Sequence, residues 1–271
     1  TKRYKCPKCG TWESYVIRRS KRRCKHCKYE WKPGGLPLRI PASQWHQFLM
    51  LIFRNEPVSE IVRQTGLHRQ RIYRALLHVR VVMATDIPPV FRGTVEVDET
   101  YLGGQWKNKR LSKRIGGTKR GRGTSKTPVF GILCRNGKVW AQVVPDTEAK
   151  TLQALILKRV RKGSTVCSDT WKSYTGIATK GYVHRIVKHG QGQYSNGKGT
   201  HINGLEGFWG YLKRKLADKG GIRRERLPLY LAEYVWKYNH RSLTPEQKTS
   251  SILTLLQAQN HLKLVAELRL Y

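Results

Sequence analysis

Acidic residues are scarce in this sequence. Its 271 residues include 17 Asp and Glu but 53 Lys and Arg, so the formal net charge is +36. Charge repulsion of this size disfavours a compact chain unless a polyanion normally neutralises it. The imbalance makes a nucleic acid the first candidate for a partner.

Long apolar runs are also missing. No stretch of about 18 or more apolar residues is present, as a transmembrane helix would require. The amino-terminal residues are polar and rich in lysine, unlike the apolar core of a secretory signal peptide. We therefore expect a cytoplasmic protein that does not bind a membrane. Its hydrophobic content of 39% is sufficient for at least one sizeable core.

Four of the six cysteines form two C-x2-C pairs near the amino terminus. In a chain without an export signal, this spacing favours a metal site over disulfides. Each C-x2-C turn presents two thiolates at an angle that suits tetrahedral zinc, and the metal replaces a core that about 30 residues cannot supply. The sequence predicts a zinc ribbon whose basic surroundings contact phosphates. The predicted zinc ligands are Cys6, Cys9, Cys24 and Cys27.

Three short helices are predicted next, over residues 43–53, 57–64 and 68–83, with Ser43 as the N-cap of the first. A tight turn at residues 65–67 separates the second from the third, which is the pattern of a helix-turn-helix. In that motif the start of the last helix faces base edges in the major groove. The residues predicted to bind DNA there are Arg69, Gln70, Arg71 and Arg74. The alternative is a helical bundle whose charges only solvate its surface.

The pattern then changes to strands alternating with helices, which predicts a mixed α/β sheet. An Asn-Gly pair predicts a hairpin between residues 129–134 and 139–144. Residues 102–127 are basic and are expected to form a loop or a hairpin extension. Four divisions follow: a zinc ribbon at 1–35, a helix-turn-helix domain at 36–90, a catalytic domain at 91–245 and a helical segment at 246–271.

Because acids are so few, the positions of three of them carry information. Asp98 lies on a strand that is expected to be central, Asp169 ends an apolar strand, and Glu206 lies near the start of a helix. Carboxylates near the interior of a sheet are costly unless a cation neutralises them. Together they predict a site for two Mg²⁺ or Mn²⁺ ions that activate the attacking oxygen and stabilise the leaving one in phosphoryl transfer. Lys213 and Arg214, about two helical turns after Glu206, are expected to contact the DNA backbone.

Each acid also has a structural explanation. Asp169 could be the N-cap of a following short helix, and Glu206 could satisfy a helix terminus or pair with an arginine. Glu96 and Glu99 compete with Asp98, because all three lie on one strand.

Three blocks of sequence resemble a known family. They are VEVDETYLGG at 95–104, SDTWKSY at 168–174 and HINGLEGFWGYLKR at 201–214. In order and wording they are similar to the catalytic blocks of bacterial insertion-sequence transposases related to the eukaryotic Merlin elements, the ISXO2-like group. The zinc ribbon and helix-turn-helix fit that group as well.

The resemblance implies a DDE recombinase with an RNase H-like core, in which Asp98, Asp169 and Glu206 form the triad and Lys213 is a basic partner. Because the third catalytic position is not always glutamate in this family, Asn203 is a second candidate for a residue next to the metal ions. The amino-terminal domains would recognise terminal inverted repeats. Water would free a 3′-hydroxyl at each end, which then attacks target DNA, and pairing of two ends implies a homodimer on double-stranded DNA.

Two other functions remain open at this point. A transcription regulator with a zinc ribbon and a helix-turn-helix would bind DNA without cutting it. A nuclease or Holliday-junction resolvase on the same core would cut DNA without joining it.

Overall fold

The computed structural model describes residues 4, 6, 8–88, 90–104, 111, 126–135, 137–170, 172–187 and 202–257. Most of the basic stretch at 102–127, the Gly-rich stretch at 190–199 and the end of the predicted last helix therefore lie outside the described residues. The chain divides into two compact units. The first comprises Thr1–Asp86 with His240–Tyr271, and the second comprises Ile87–Asn239.

The first unit begins with a small antiparallel sheet of order β1-β2-β3. Its strands are β1 (Ser14–Ile17), β2 (Lys21–Cys24) and β3 (Glu30–Trp31). Cys6, Cys24 and Trp31 form its small buried cluster. A core this small cannot stabilise a sheet by hydrophobic burial alone, which agrees with a need for a metal crosslink.

Three helices follow, α1 (Ala42–Phe53), α2 (Val58–Thr65) and α3 (Arg69–Thr85). Gly66 ends α2 with a φ of 67°, a left-handed conformation that glycine adopts without a steric penalty. His68 caps α3, since its Nδ1 accepts the backbone N–H of Gln70. The prediction of Ser43 as the N-cap of α1 is wrong: Pro41 takes that position. Its extended ψ of 150° suits a cap, and its carbonyl accepts the N–H of Trp45, the first helical hydrogen bond.

The helix α7 (Pro245–Gln257) belongs to the same unit, where it contacts α1 and α3. The hydroxyl of Thr249, which is fully buried, donates to the sulfur of Met50 at 3.4 Å. Most of α3 is buried, and its exposed residues lie in its amino-terminal turns and at Ala84 and Thr85 near its end.

The second unit contains a five-stranded mixed sheet of order β6-β5-β4-β7-β8. The strands are β4 (Thr94–Leu102), β5 (Thr127–Cys134), β6 (Val139–Val143), β7 (Thr165–Ser168) and β8 (Val183–Ile186). The pairs β4–β5 and β5–β6 are antiparallel, whereas β4–β7 and β7–β8 are parallel. The predicted mixed α/β sheet is confirmed. So is the predicted hairpin, in which Gly137 has a φ of 91° and donates to the Cys134 carbonyl.

Helices cover both faces of this sheet. They are α4 (Ala149–Arg159), α5 (Asn203–Ala217) and α6 (Leu227–Asn239). On one face Val95 and Val97 share a core with α4, and on the other α5 and α6 pack against β5 and β6. In the parts of the chain that the structure describes, no helix has both the length and the apolar character to span a membrane.

Candidate functional site

The parallel pairing of β4 with β7 places two of the three predicted acids side by side. Glu96 lies opposite Cys167 in this pair. Extending the register by two residues aligns Asp98 with Asp169, the residue that directly follows β7. Both carboxylates are partly buried, just beyond the point where the pairing of β4 with β7 ends and in the middle of the longer strand β4. Carboxyl ends of neighbouring parallel strands are common positions for ligands in α/β sheets.

The environment of Asp98 disfavours its charge. Burial, together with the negative charges of Glu99 and Asp169, raises the pKa of Asp98 from 3.8 to about 7. The indole N–H of Trp209 donates to Asp98 Oδ2 at 3.0 Å and opposes the shift. A divalent cation next to Asp98 and Asp169 would favour their charged forms and so oppose the effects of burial and of the neighbouring negative charges. The donor set therefore fits a hard cation such as Mg²⁺ or Mn²⁺.

The three acids of β4 have different surroundings. Glu99 accepts a 2.7 Å hydrogen bond from the hydroxyl of Tyr174, which lies in the core beside α4. Burial and the charge of Glu99 raise the pKa of Tyr174 well above its ordinary value of 10. Glu96 and Asp98 instead contact α5 on the opposite face. Alternation along the strand thus separates Glu99 from Asp98, although the two are adjacent in sequence.

The helix α5 has one apolar and one polar side. Its buried residues are Leu205, Phe208, Trp209 and Leu212, which pack against the sheet and α6. Its exposed residues include Glu206, Lys213 and Arg214. Glu206 lies about one turn before Trp209, whose ring contacts Asp98. Asn203, the first residue of α5, is exposed as well.

The three acids are assembled less closely than the four cysteines. Among the described residues, one group of three or more metal-ligating side chains has all its ligand atoms within 4.8 Å of one another, and it consists of the cysteines. Asp98, Asp169 and Glu206 form no such group. Asp98 and Asp169 are near enough to interact electrostatically, and Glu206 is exposed on the neighbouring helix.

The cysteine site is local. Sγ of Cys6 lies 3.6 Å from Sγ of Cys27, and Sγ of Cys9 lies 3.5 Å from Sγ of Cys24. All four are free thiols. A tetrahedral zinc with Zn–S bonds of about 2.3 Å separates its sulfurs by about 3.8 Å. The four thiols therefore fit a structural zinc ion. His26, within the second pair, is exposed.

The start of α3 forms an exposed basic surface. Arg69, Gln70, Arg71 and Arg74 are all exposed there, as a base-reading helix requires. Tyr73 lies among them with 52% of its surface exposed. The exposure of Tyr73 was not predicted from the sequence, because an aromatic residue in an amphipathic helix usually belongs to the core. A helical projection would have placed it with the arginines, away from Ile72 and Leu76.

Two contacts of the carboxylate region were also missed from the sequence. Trp209 is buried in the core between α5 and the sheet, and its indole N–H donates to Asp98 Oδ2. Glu96 was treated as a competitor of Asp98, but its carboxylate accepts the backbone N–H of Leu205. Neither contact has a local sequence signal, since the partners are more than 100 residues apart.

A family model described as the ISXO2-like transposase domain matches residues 90–239, which contain all three resembling blocks and the whole carboxylate region. The chain belongs to this ISXO2-like transposase family. The resemblance noted in the sequence is thereby confirmed. An uncharacterized transposase-like protein of Haemophilus influenzae is 33% identical over 106 residues, which cover 39% of this chain and 85% of that relative.

Two solved structures are similar to this ISXO2-like transposase at low identity. The catalytic core domain of BIV integrase has a TM-score of 0.35 and 16% identity, covering 53% of this chain and 81% of its own. A chain of a pre-cleavage Mos1 transpososome has a TM-score of 0.30 and 12% identity, covering 90% of this chain and 83% of its own. Both TM-scores are low, so the fold assignment depends only on the strand order and helix packing of this chain.

Proposed function

We propose that this protein is a DNA transposase that cuts the ends of its element and joins them to target DNA by a metal-dependent DDE mechanism, on an RNase H-like core. The observation that carries the proposal lies within the family-matched segment. There, the register of β4 and β7 brings Asp98 next to Asp169, and the charge of Asp169 adds to burial and to Glu99 in raising the pKa of Asp98. Two neighbouring carboxylates favour a bound cation. Carboxylates are otherwise scarce in this strongly basic chain.

Asp98, Asp169 and Glu206 would hold two Mg²⁺ or Mn²⁺ ions. When bound, these ions supply Lewis-acid activation of the attacking oxygen and stabilise the leaving oxygen. The strands β4 and β7 fix the two aspartates. Glu206, which is exposed on α5 about one helical turn before Trp209, would supply the third carboxylate.

Lys213 and Arg214 would contact the DNA backbone next to the cations. Both are exposed, on the same helix as Glu206 and seven or eight residues after it. Residues seven apart on a helix lie on nearly the same side, about 10 Å apart along the axis. A cationic side chain at that position can bind the phosphate that follows the reacting one.

The first unit would recognise terminal inverted repeats. The four cysteines would hold a zinc ion in a ribbon, and α2 with α3 would form a helix-turn-helix that inserts its exposed basic start into the major groove. Arg pairs well with guanine and Gln with adenine, so Arg69, Gln70, Arg71 and Arg74 suit base reading. Phosphate contacts from the remaining basic residues would make binding steeply dependent on salt.

Joining two ends to one target requires that both ends are held together. A homodimer on double-stranded DNA, with one protomer at each end, would meet this requirement. Size-exclusion chromatography with multi-angle scattering on DNA carrying the element end should then show two protomers per pair of ends.

The proposal is tested with labelled DNA carrying the ends of the element and with a target plasmid. Wild type should nick the ends in Mg²⁺ and give strand-transfer products. Asp169→Asn should bind the same DNA but lose cleavage by on the order of 10³-fold, because several kcal/mol of transition-state stabilisation depend on the metal ligands.

The matched control is Asp146→Asn. Asp146 lies in the same unit, and its side chain accepts the backbone N–H of Glu148, a contact that Asn can keep. It should leave cleavage unchanged. Normal activity of Asp169→Asn would refute the site. Binding without any cleavage by wild type would favour a transcription regulator, and cleavage without joining would favour a nuclease or resolvase.

A further inference from the structure

The described residue at the N-cap position of α5 contributes no side-chain cap. This residue, Ile202, has no side-chain acceptor and makes no capping hydrogen bond. The first backbone N–H groups of a helix have no partners within the helix, and an acidic group is favoured beside them. An acidic side chain from another part of the fold can supply an acceptor for one of these groups.

Glu96 on β4 supplies that acceptor. Its side chain is 1% exposed, and Oε2 accepts the backbone N–H of Leu205 at 2.9 Å. The same N–H also donates to the Ile202 carbonyl at 3.1 Å, so it is shared between two acceptors. Oε1 of Glu96 lies 3.8 Å from the guanidinium of Arg135 on the other side. The carboxylate is thus engaged by a helix terminus and a cation.

A second tie joins the same two elements one turn further along. The indole N–H of Trp209 donates to Asp98 at 3.0 Å. The tied residues are two apart on β4, which spans about 6.6 Å, and four apart on α5, which spans about 6 Å. The two spacings match, so both hydrogen bonds form together in a single register of helix against strand. Glu206 lies between the two tied positions of α5.

Glycine permits the close approach at both ties. A Cβ on Gly131, which lies opposite Asp98 in the sheet, would be 2.6 Å from two ring carbons of Trp209. A Cβ on Gly204 would be 3.0 Å from Oε2 of Glu96. A larger residue at Gly131 would therefore require Trp209 to shift, whereas one at Gly204 would make a tight contact with the Glu96 carboxylate.

We infer that Glu96 and Trp209 are positioning residues that hold α5 in register on β4, so that Glu206 is presented to Asp98 and Asp169, and that Glu96 is not itself a metal ligand. The inference rests on the proposed function for the roles of Asp98 and Glu206. The role of Glu96 follows from its contacts, because its carboxylate oxygens face the amino terminus of α5 and Arg135.

The first test compares Glu96→Gln with Glu96→Leu. Gln keeps an oxygen that can accept the Leu205 N–H, whereas Leu removes it. Cleavage by Glu96→Gln should stay within about threefold of wild type, and that of Glu96→Leu should fall at least tenfold, since a buried charge-assisted hydrogen bond is lost. Glu225→Gln, at an exposed position of the same unit, is the control and should match wild type.

Hydrogen exchange at residues 203–207 gives a readout that does not depend on catalysis. It should be at least tenfold faster in Glu96→Leu and unchanged in Asp98→Asn. Glu96→Gln as inactive as Asp98→Asn would make Glu96 a metal ligand and overturn the inference. Glu96→Leu with wild-type exchange and cleavage would overturn it as well. If Asp98→Asn still cleaves DNA, the proposed function fails, while the exchange data still decide whether Glu96 holds the helix.

Trp209→Phe tests the second tie and covers the case in which Glu96→Leu does not fold. Phe keeps most of the buried ring but loses the N–H, so the Mg²⁺ concentration for half-maximal cleavage should rise at least threefold. Trp140→Phe is the matched control, because Trp140 is equally buried but packs on the α4 side of the sheet. An unchanged Mg²⁺ requirement in Trp209→Phe would overturn the role of Trp209.

Discussion

The cysteine site and the carboxylate site are organised in opposite ways. The four cysteines come from two turns of one small module, and their thiols already lie within 4.8 Å of one another. The three acids come from a strand, the residue after a second strand, and a helix, and they are not assembled to that degree. The cysteine module buries only a few side chains, whereas the sheet of the second unit has a core on each face.

This difference indicates two relations between metal and fold. In the cysteine module the metal would create the fold, because little else stabilises about 30 residues. In the second unit the packing of the sheet brings Asp98 and Asp169 together in spite of their repulsion, so their arrangement does not require a metal ion. Removing the metal should therefore unfold the first and leave the second folded.

The largest effect is expected for Cys24→Ser or for removal of zinc with a strong chelator. Zinc bound by four thiolates contributes about 10 kcal/mol or more to the folding of such modules. Hydrogen exchange of residues 8–40 should then reach the rate of an unfolded chain, while that of β4 and β5 stays slow. Slow exchange throughout the module without zinc would contradict the idea that the metal is required for its fold.

A smaller effect is expected for Gly131→Ala. The added Cβ would clash with the ring of Trp209, so the free energy of unfolding should fall by roughly 1–3 kcal/mol. Thermal unfolding of the full chain measures it. Gly207→Ala is the matched control: nothing lies within 4 Å of its Cβ, and Ala in a helix should stabilise by up to about 1 kcal/mol. Equal behaviour of the two variants would show that α5 does not depend on close packing at Gly131.

Asp98→Asn should stabilise the metal-free protein. The folded-state pKa of Asp98, about 7, lies above its ordinary value of 3.8. A raised pKa means that its contribution to stability is lost as pH rises through about 7, so wild type is penalised at pH 8. In EDTA at pH 8 the variant should be more stable by about 1–2 kcal/mol, and the difference should shrink as pH falls toward 4. Mg²⁺ should reverse the order, and a wild type that is more stable than the variant in EDTA would contradict the idea.

The smallest effect is expected for His26→Ala. His26 lies between two predicted zinc ligands but is exposed, and the four thiols complete a tetrahedral set without it. Zinc content measured by elemental analysis should stay at one ion per chain, and thermal stability should change by less than about 0.5 kcal/mol. Loss of zinc in this variant would mean that the ligand set includes His26.

Local patterns in the sequence predicted several of the helices and strands, as well as the cysteine cluster. The Asn-Gly pair predicted the β5–β6 hairpin, the apolar run at 165–168 predicted β7, and the C-x2-C spacing predicted the cysteine cluster. These features depend on neighbours within a few residues, so the chain encodes them directly. The N-cap of α1 was mispredicted, because Ser43 is a good cap by propensity but Pro41 supplies the required backbone conformation.

By itself, the sequence determined the family, the basic character of the chain and the types of residue available for metal binding. Only the tertiary structure decided which acid of β4 lies beside Asp169, which one caps α5 and which one binds Tyr174. Strand pairing and helix packing make these choices through contacts between residues 71 to 111 positions apart. No local pattern encodes such contacts, because alternation along a strand gives two faces but does not say what will cover each of them.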